Sequence, residues 1–350
     1  MIKSNLSELI GGTPLLKLCV TQNGTCVLLK LEQFNPTGTA KIRMARQMVD
    51  EAEASGQLKP GGWIVESTSG NTGLGLALIA AERGYRFTAV VDEHASPDKL
   101  RTMQAFGAHL VRVGDPGGGL STADRDATAE RIAVEKGAYW TRQHHNPANA
   151  NGYVALADEL REVLGSEIHY LVGAVGTGGS LCGSARALKS HVPGLQVIGV
   201  EPCGSVIFGG PGAPYHQSGT GTPEGAEIGA LVDYALIDKG VRVSDTQAFE
   251  TARHLARFHG LLVGGSAGGV IYQALREALR APPQSVIVAL VCDGGEKYLD
   301  TVFNDQWMAD HQLLAPQVHR ELLQWLNPVP QVRQAVAAGG SSAPYPIRQQ

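Results

Sequence analysis

Short apolar runs recur along the chain, separated by longer stretches in which apolar positions return every three to four residues. The runs at 26–31, 63–66, 87–91, 110–113, 170–174, 197–200 and 286–291 are mostly continuous in Val, Ile, Leu and Ala, as strands buried on both faces of a parallel sheet are. The helical period predicts helices over 39–54, 72–83, 97–106, 122–136, 149–164, 180–191, 246–259 and 267–280. Such alternation predicts an α/β protein with mainly parallel sheets. Three segments break the rhythm. Residues 114–119 form a glycine loop, and 209–225 is a longer Gly- and Pro-rich stretch, a candidate mobile loop. After Trp307 the pattern stops, leaving one helix at 317–326 and a small-residue end, of which 341–350 is expected to be disordered.

Composition narrows the classes. The chain has 350 residues, 43% hydrophobic and 18% charged, which is enough for two domains or one large unit with a sizeable core. A net charge of −4 without clustered Lys and Arg excludes a nucleic-acid footprint. No apolar run approaches the roughly 20 residues that span a bilayer, and residues 1–6 carry no signal-peptide core. Cys19, Cys26, Cys182, Cys203 and Cys292 are scattered without a C-x-x-C pair. They read as small buried hydrophobes rather than a disulfide framework or a zinc site, and a reduced cytoplasmic setting follows.

Candidate chemistry gathers where strands give way to helices. Asn35-Pro36-Thr37-Gly38-Thr39-Ala40-Lys41 combines a Pro/Gly turn with a lysine in the first helical turn. There the helix dipole disfavours the ammonium form, which suits a Schiff-base lysine; alone, the same lysine reads as a solvated surface residue. Ser67-Thr68-Ser69-Gly70-Asn71-Thr72-Gly73 sets hydroxyls, an amide and backbone N–H groups at a helix start. That suits a carboxylate or phosphate, or simply caps the helix. Gly173 to Ser180, including Gly176-Thr177-Gly178-Gly179-Ser180, fails both the dinucleotide spacing and the P-loop pattern, but its glycines admit a phosphate to a helix N-terminus. Gly264-Gly265-Ser266-Ala267-Gly268-Gly269 permits close packing against a ligand or another helix. In Gln143-His144-His145-Asn146-Pro147 the adjacent histidines share no face, which argues against a metal site.

In this order the motifs resemble those of the fold-type II pyridoxal-phosphate enzymes, in particular the cysteine synthase and cystathionine β-synthase family. They run N-P-T-G-T-A-K, S-T-S-G-N-T-G, Q-x-x-N-P-A-N, G-T-G-G-S and G-G-S-A-G. Ile10 to Leu15, Glu201-Pro202 and Asp293-Gly294-Gly295 fit as well, so the resemblance covers about residues 5–308. It implies a tryptophan synthase β-like fold, with two open twisted mostly parallel-sheet domains and flanking helices. Residues 40–146 would form the smaller domain, 1–39 with 147–308 the larger, and 309–350 a tail. The cofactor would be pyridoxal 5'-phosphate, with Lys41 as its Schiff-base anchor and, once displaced, the base for the substrate α-proton. Asn71 would bond the cofactor's phenolic oxygen, Gly176, Thr177, Gly178, Gly179 and Ser180 would cradle its phosphate, and Ser266 would face its pyridine nitrogen. Thr68, Ser69, Thr72 and Gln143 would hold the substrate carboxylate.

The implied reaction is β-replacement on an O-activated serine through an aminoacrylate. Cysteine synthesis is the family default. The alternatives are an amine acceptor giving a 2,3-diaminopropionate-type amino acid, as residues 298–308 suggest, and cystathionine synthase-like or lyase activity. The resemblance further implies small amino-acid substrates and a homodimer. The departures are Ile42, where many relatives carry Asp, and Glu224 to Gly229, whose two acids and missing Arg weigh against a phosphorylated donor. No heme-binding N-terminal region or C-terminal regulatory domain is expected.

Overall fold

The computed structural model describes residues 2–19, 23–68, 70–92, 95–114 and 122–326. Two sheets organise it. The larger has six strands: β1 (Leu15–Cys19), β2 (Cys26–Leu31), β7 (Tyr170–Ala174), β8 (Gln196–Pro202), β9 (Lys239–Val243) and β10 (Val286–Val291). Their order is β1-β2-β10-β7-β8-β9, with β1 antiparallel to β2 and every other pair parallel. The smaller sheet is all parallel, in the order β5-β4-β3-β6, from β3 (Trp63–Ser67), β4 (Arg86–Val91), β5 (His109–Arg112) and β6 (Tyr139–Trp140). Its strands all fall between the second and third strands, in sequence, of the larger sheet.

Eleven helices flank the sheets among the described residues: α1 (Lys41–Ala54), α2 (Asn71–Arg83), α3 (Pro97–Ala105), α4 (Thr122–Lys136), α5 (Pro147–Asn151), α6 (Val154–Leu164), α7 (Gly179–Lys189), α8 (Asp245–His259), α9 (Gly265–Ala278), α10 (Asp305–Asp310) and α11 (Pro316–Trp325). One apolar core joins α1, α2, α6 and α7 to both sheets, through Ile42, Met48, Leu76, Leu160, Leu181 and Leu290. A second lies between the larger sheet and α8, α9 and α11, around Val27, Phe249, Ile271 and Leu322.

The continuous apolar runs predict β2, β7 and β10 at their observed ends. Strands β1, β6 and β9 were not expected. β9, sequence KGVRV, is a charged edge strand whose residues are largely solvent-facing, so it lacks the apolar signature of a buried strand. The single helix expected over 149–164 is two helices. Gly152 sits between them against α1, where a Cβ would come within 2.8 Å of the Met44 Cα and 2.9 Å of the Arg43 carbonyl oxygen. The 209–225 segment is pinned over the larger sheet. The Thr220 hydroxyl and Gly221 N–H both donate to the Val175 carbonyl, at 2.9 and 2.7 Å, and Thr222 N–H donates to the Ser205 hydroxyl at 2.9 Å. Beyond Gly114 the 114–119 loop lies outside the described residues, as does 341–350.

A buried charge network ties the N-terminus to the segment that leads into α1. Arg43 bridges Glu32 at 2.7 Å and Glu159 at 2.8 Å, and Lys30 meets Glu159 at 2.6 Å. The Thr13 hydroxyl donates to Glu32 at 2.6 Å, Asn35 donates to Glu32 at 2.9 Å, and Gly11 N–H donates to Asn35 at 2.9 Å. The bonds satisfy the charges that burial would otherwise penalise. The two cations hold the Glu159 carboxyl down at about 2, against the opposing effect of its burial.

The topology places the motifs. In open parallel sheets, ligands bind beyond the carboxyl ends of the strands. The segments that follow β2, β7 and β10 carry Lys41, Gly176–Ser180 and Asp293, and those that follow β3 and β6 carry Asn71 and Gln143.

Candidate active site

Lys41 opens α1 and is half-buried. The turn before it is closed by Gly38 N–H donating to the Asn35 carbonyl at 2.7 Å, and Gly38 has φ +66, a left-handed conformation suited to glycine. Thr39 pairs with Asp293 in an isolated bridge, and Ala40 N–H donates to the Cys292 carbonyl at 2.8 Å. The lysine is thereby fixed beside the end of β10. Ile42 is fully buried at the crossing of α1 and α2, where a Cβ on Gly75 would meet the Ile42 Cα at 3.1 Å. An apolar residue there fits the packing.

Thr68 is buried, and its side-chain oxygen accepts from Gly70 N–H at 3.3 Å and Gly73 N–H at 3.1 Å, capping the start of α2. Its hydroxyl proton can still be donated. The Thr72 hydroxyl donates to the Gln143 amide oxygen at 2.7 Å, and the Gln143 NH2 donates to the Ser67 carbonyl at 3.0 Å. Thr68, Thr72 and Gln143 therefore converge, while Ser69 lies outside the described residues. Beneath them Glu66 is fully buried, bonded by the Thr141 hydroxyl. Burial pushes its carboxyl up to about 7, against the lowering effect of that bond and of bonds from Gln143.

Gly176 to Ser180 turn from β7 into α7. Gly178 has φ +88, and a Cβ on it would lie 2.6 Å from the Leu231 and Val232 backbone. A Cβ on Gly179 would lie 2.0 Å from the Asn149 amide oxygen. Only glycine fits both places. The Thr177 hydroxyl oxygen accepts from Asn149 at 3.1 Å, and the same Asn149 NH2 donates to the Gln143 carbonyl at 2.8 Å. Asn149 thus couples the glycine turn to the Gln143 loop. It was given no role from sequence, although it stands in the Q-x-x-N-P-A-N motif. The first turn of α7 offers N–H groups without helical partners, aligned with the positive end of the dipole.

Cys292, at the end of β10, accepts from Ala40 N–H through its carbonyl. Burial pushes its thiol up to about 11, against the lowering effect of the Lys41 charge. The expectation that the cysteines are buried fails at Cys203, which is exposed, and Cys26 and Cys292 are half-buried. His144 also feels Lys41. Burial lowers its pKa, and the nearby positive charges of His145, Lys41 and Arg125 act in the same direction, against Asp126.

Three further residues at the site carried no assigned role. The Asn71 NH2 donates to Asp293 Oδ2 at 2.8 Å, and the Tyr298 hydroxyl donates to the same oxygen at 2.6 Å. Lys99, on α3 and 4% exposed, places Nζ 3.4 Å from the Tyr298 hydroxyl. Burial lowers the Lys99 pKa and the Asp293 charge opposes that. Gly264 N–H donates to the Asp293 carbonyl at 3.1 Å, which brings the start of α9, and with it buried Ser266, to the same end of the sheet. Within α9, Gly268 packs on α8, where a Cβ would lie 2.1 Å from the Ala248 carbonyl oxygen. No group of three or more His, Cys, Asp or Glu that could hold a metal occurs among the described residues, and no described helix is long and apolar enough to cross a membrane.

Comparisons with known proteins agree with this arrangement. A family model described as "Pyridoxal-phosphate dependent enzyme" matches residues 6–293. A protein of Sinorhizobium fredii, provisionally named a cysteine synthase, is 50% identical over 329 residues, covering 93% of this chain and 98% of its own. The N-(2-amino-2-carboxyethyl)-L-glutamate synthase of Ralstonia nicotianae is 37% identical over 314 residues, covering 88% and 92%. The crystal structure of O-ureido-L-serine synthase superposes with a TM-score of 0.81 at 34% identity, covering 88% of this chain and all of the other.

The residues present fit the cofactor that family requires. A glycine-lined helix start suits a phosphate, Lys41 is half-buried at the start of α1, and Asn71 Oδ1 is buried with no protein partner. The chain belongs to the pyridoxal-phosphate-dependent enzymes, in the fold-type II branch of β-replacement enzymes that holds the cysteine synthases.

Proposed function

We propose that the chain replaces the β-substituent of an O-activated serine, with Lys41 as both the covalent anchor of the cofactor and the base for the α-proton. The observation that carries this reading is a chain of contacts: the segment before Lys41 pairs with Asp293, Asp293 accepts from Asn71 at the start of α2, Thr72 bonds Gln143, and Asn149 joins the Gln143 loop to Thr177 in the α7 glycine turn. Bound pyridoxal phosphate supplies the electron sink that makes the α-proton of an amino acid removable.

The chain's own residues do the rest. The N–H groups of Gly176 to Ser180 take the phosphate, and Thr177 is held in register by Asn149. Thr68, Ser69, Thr72 and Gln143 take the substrate α-carboxylate, so that the α-proton is presented to one amine. Lys41 Nζ, released when the substrate amine takes its place, removes that proton and later returns as anchor. Ser266 offers the ring nitrogen a neutral hydroxyl where an acid would keep it charged. The sink is therefore moderate, which favours prompt loss of the β-substituent over accumulation of a carbanion.

The donor is an O-activated serine and the family-default acceptor is sulfide. An amine acceptor is the second reading, favoured by the 37% identity to a synthase that joins an aminocarboxyethyl group to glutamate. As the motif resemblance implies, we further propose a division into a domain of residues 40–146 and a domain of 1–39 with 147–308, and assembly as a homodimer. The free cysteines support a reducing cytoplasmic setting. The reading is tested by giving holoenzyme O-acetylserine, O-phosphoserine and serine in turn, with sulfide or an amino acid as acceptor, and identifying products by mass. A β-substituted alanine from O-acetylserine is the expected result, and the absence of any β-substituted product from all three donors overturns the reading.

A further inference from the structure

Gln143 is held by its main chain as well as its side chain. Its N–H lies 3.4 Å from Glu66 Oε2, and its carbonyl accepts from the Asn149 NH2 at 2.8 Å. Its side-chain amide sits between the Thr72 hydroxyl at 2.7 Å and the Ser67 carbonyl at 3.0 Å. An amide NH2 has two protons, so one is left for a ligand. Of these partners only Glu66 can carry a charge. It is 2% exposed at the end of β3, and the Thr141 hydroxyl donates to the same Oε2. The loop from Thr141 to Gln143 therefore closes onto one buried carboxyl.

The neighbouring elements bring that carboxyl no cation. On α4, Asp126 opposes its ionisation, while Arg125 pairs with Asp92 at 3.4 Å. Tyr139 on β6 is its other titratable neighbour, and Glu51 of α1 acts in turn on Tyr139. The β4 residues beside it, Thr88 to Val90, are uncharged. On the Gln143 loop, Arg142 is exposed and lies over the Trp140 ring at 5.1 Å, and burial disfavours the charged form of His144. A buried carboxyl without a cation favours its neutral form, in line with its rise to about 7.

We propose that Glu66 is a positioning residue whose proton is linked to substrate binding: protonated, it seats the Gln143 loop for the substrate carboxylate, and ionised, it repels that carboxylate. The proposal rests on the reading that Gln143 holds the substrate carboxylate. Glu66 and the substrate then meet the same residue, one at its main-chain N–H and the other at its side-chain amide. By linkage, a bound carboxylate keeps the proton on Glu66, so binding weakens as pH rises through its ionisation.

Propionate carries the carboxylate without an amine or a β-leaving group. Its inhibition constant against O-acetylserine is measured on holoenzyme from about pH 6 to about pH 8.5, on either side of the raised Glu66 value. In the unmodified protein the constant is expected to rise about tenfold across that range, the linkage factor for a rise of about one pH unit in Glu66 on binding. Glu66→Gln is a neutral isostere, and its constant is expected to stay within about twofold at all pH values. Thr141→Val removes a donor that favours the ionised form and is expected to move the midpoint of the rise to higher pH, which keeps the test decisive if Glu66→Gln folds poorly. A purely structural role for Glu66 would leave the pH dependence in place. A flat profile in the unmodified protein, a full rise that persists in Glu66→Gln, or a midpoint unmoved in Thr141→Val overturns the proposal. Gln143→Ala separates the two levels. A constant raised at both ends of the range upholds the carboxylate reading, so that failure of the other variants then falls on the proposal alone. An unchanged constant in Gln143→Ala, or no competition from propionate, defeats the reading beneath it.

Discussion

The Thr72 hydroxyl donates to the Gln143 amide oxygen at 2.7 Å across 71 residues of sequence, joining the loop after β3 to the loop after β6. Both side chains are buried, so Thr72→Val strands the Gln143 amide oxygen without its donor. Losing a buried partner costs about 1–3 kcal/mol, which, if it falls on substrate binding, corresponds to a rise in KM for the amino-acid donor of about 5- to 160-fold. Steady-state kinetics with cofactor content measured in parallel checks this. Cofactor retention is expected to be normal, and an unchanged KM would remove the pair from the substrate site.

Gly178→Ala tests the cofactor's other end. Gly178 has φ +88, and a Cβ would press within 2.6 Å of the Leu231 and Val232 backbone. The turn must shift, and its N–H groups with it. We expect the cofactor dissociation constant to rise at least about tenfold, read by titrating apoprotein with cofactor. Equal affinity would mean that the phosphate sits elsewhere.

Glu66 predicts a pH dependence of stability. Burial raises its carboxyl in the folded state to about 7 from an ordinary value of 4.5. Between those values the folded state keeps the proton and the unfolded state loses it, so stability falls as pH rises through this window. The loss from this group is on the order of 3 kcal/mol. Denaturant unfolding of Glu66→Gln at pH 5 and pH 8 is expected to show a shallower decline than the unmodified protein. Parallel declines would contradict the assignment.

Arg43 lies between Glu32 and Glu159, 1% exposed. Arg43→Met leaves Glu32 buried without its cation, which costs about 3–5 kcal/mol. The check is the urea midpoint, which is expected to fall. A variant as stable as the unmodified protein would show that the network is not holding the N-terminus to α1.

Much of this was legible in the sequence because the chemistry lies at strand ends. An apolar run such as Val286–Val291 can be seen alone, and the glycine turn that follows β7 can be read as a phosphate site. What escaped depends on neighbours distant in sequence. The break between α5 and α6 is made by Gly152 lying on the α1 backbone, and 149–164 alone reads as one helix. Lys99, Asp293 and Tyr298 meet only because α3 and the segment after β10 face each other across the two sheets. A lone lysine on α3 has no periodic or motif signal that separates it from a surface residue. Ile42 marks a departure in sequence whose meaning is packing, since it fills the α1–α2 crossing.

The most direct test concerns Lys41. Holoenzyme is reduced with borohydride, digested, and the peptides are sequenced by mass spectrometry. The account predicts that the reduced cofactor is found on Lys41 and that Lys41→Ala loses both the adduct and turnover. A cofactor adduct on buried Lys99, on any other lysine, or on none would contradict it.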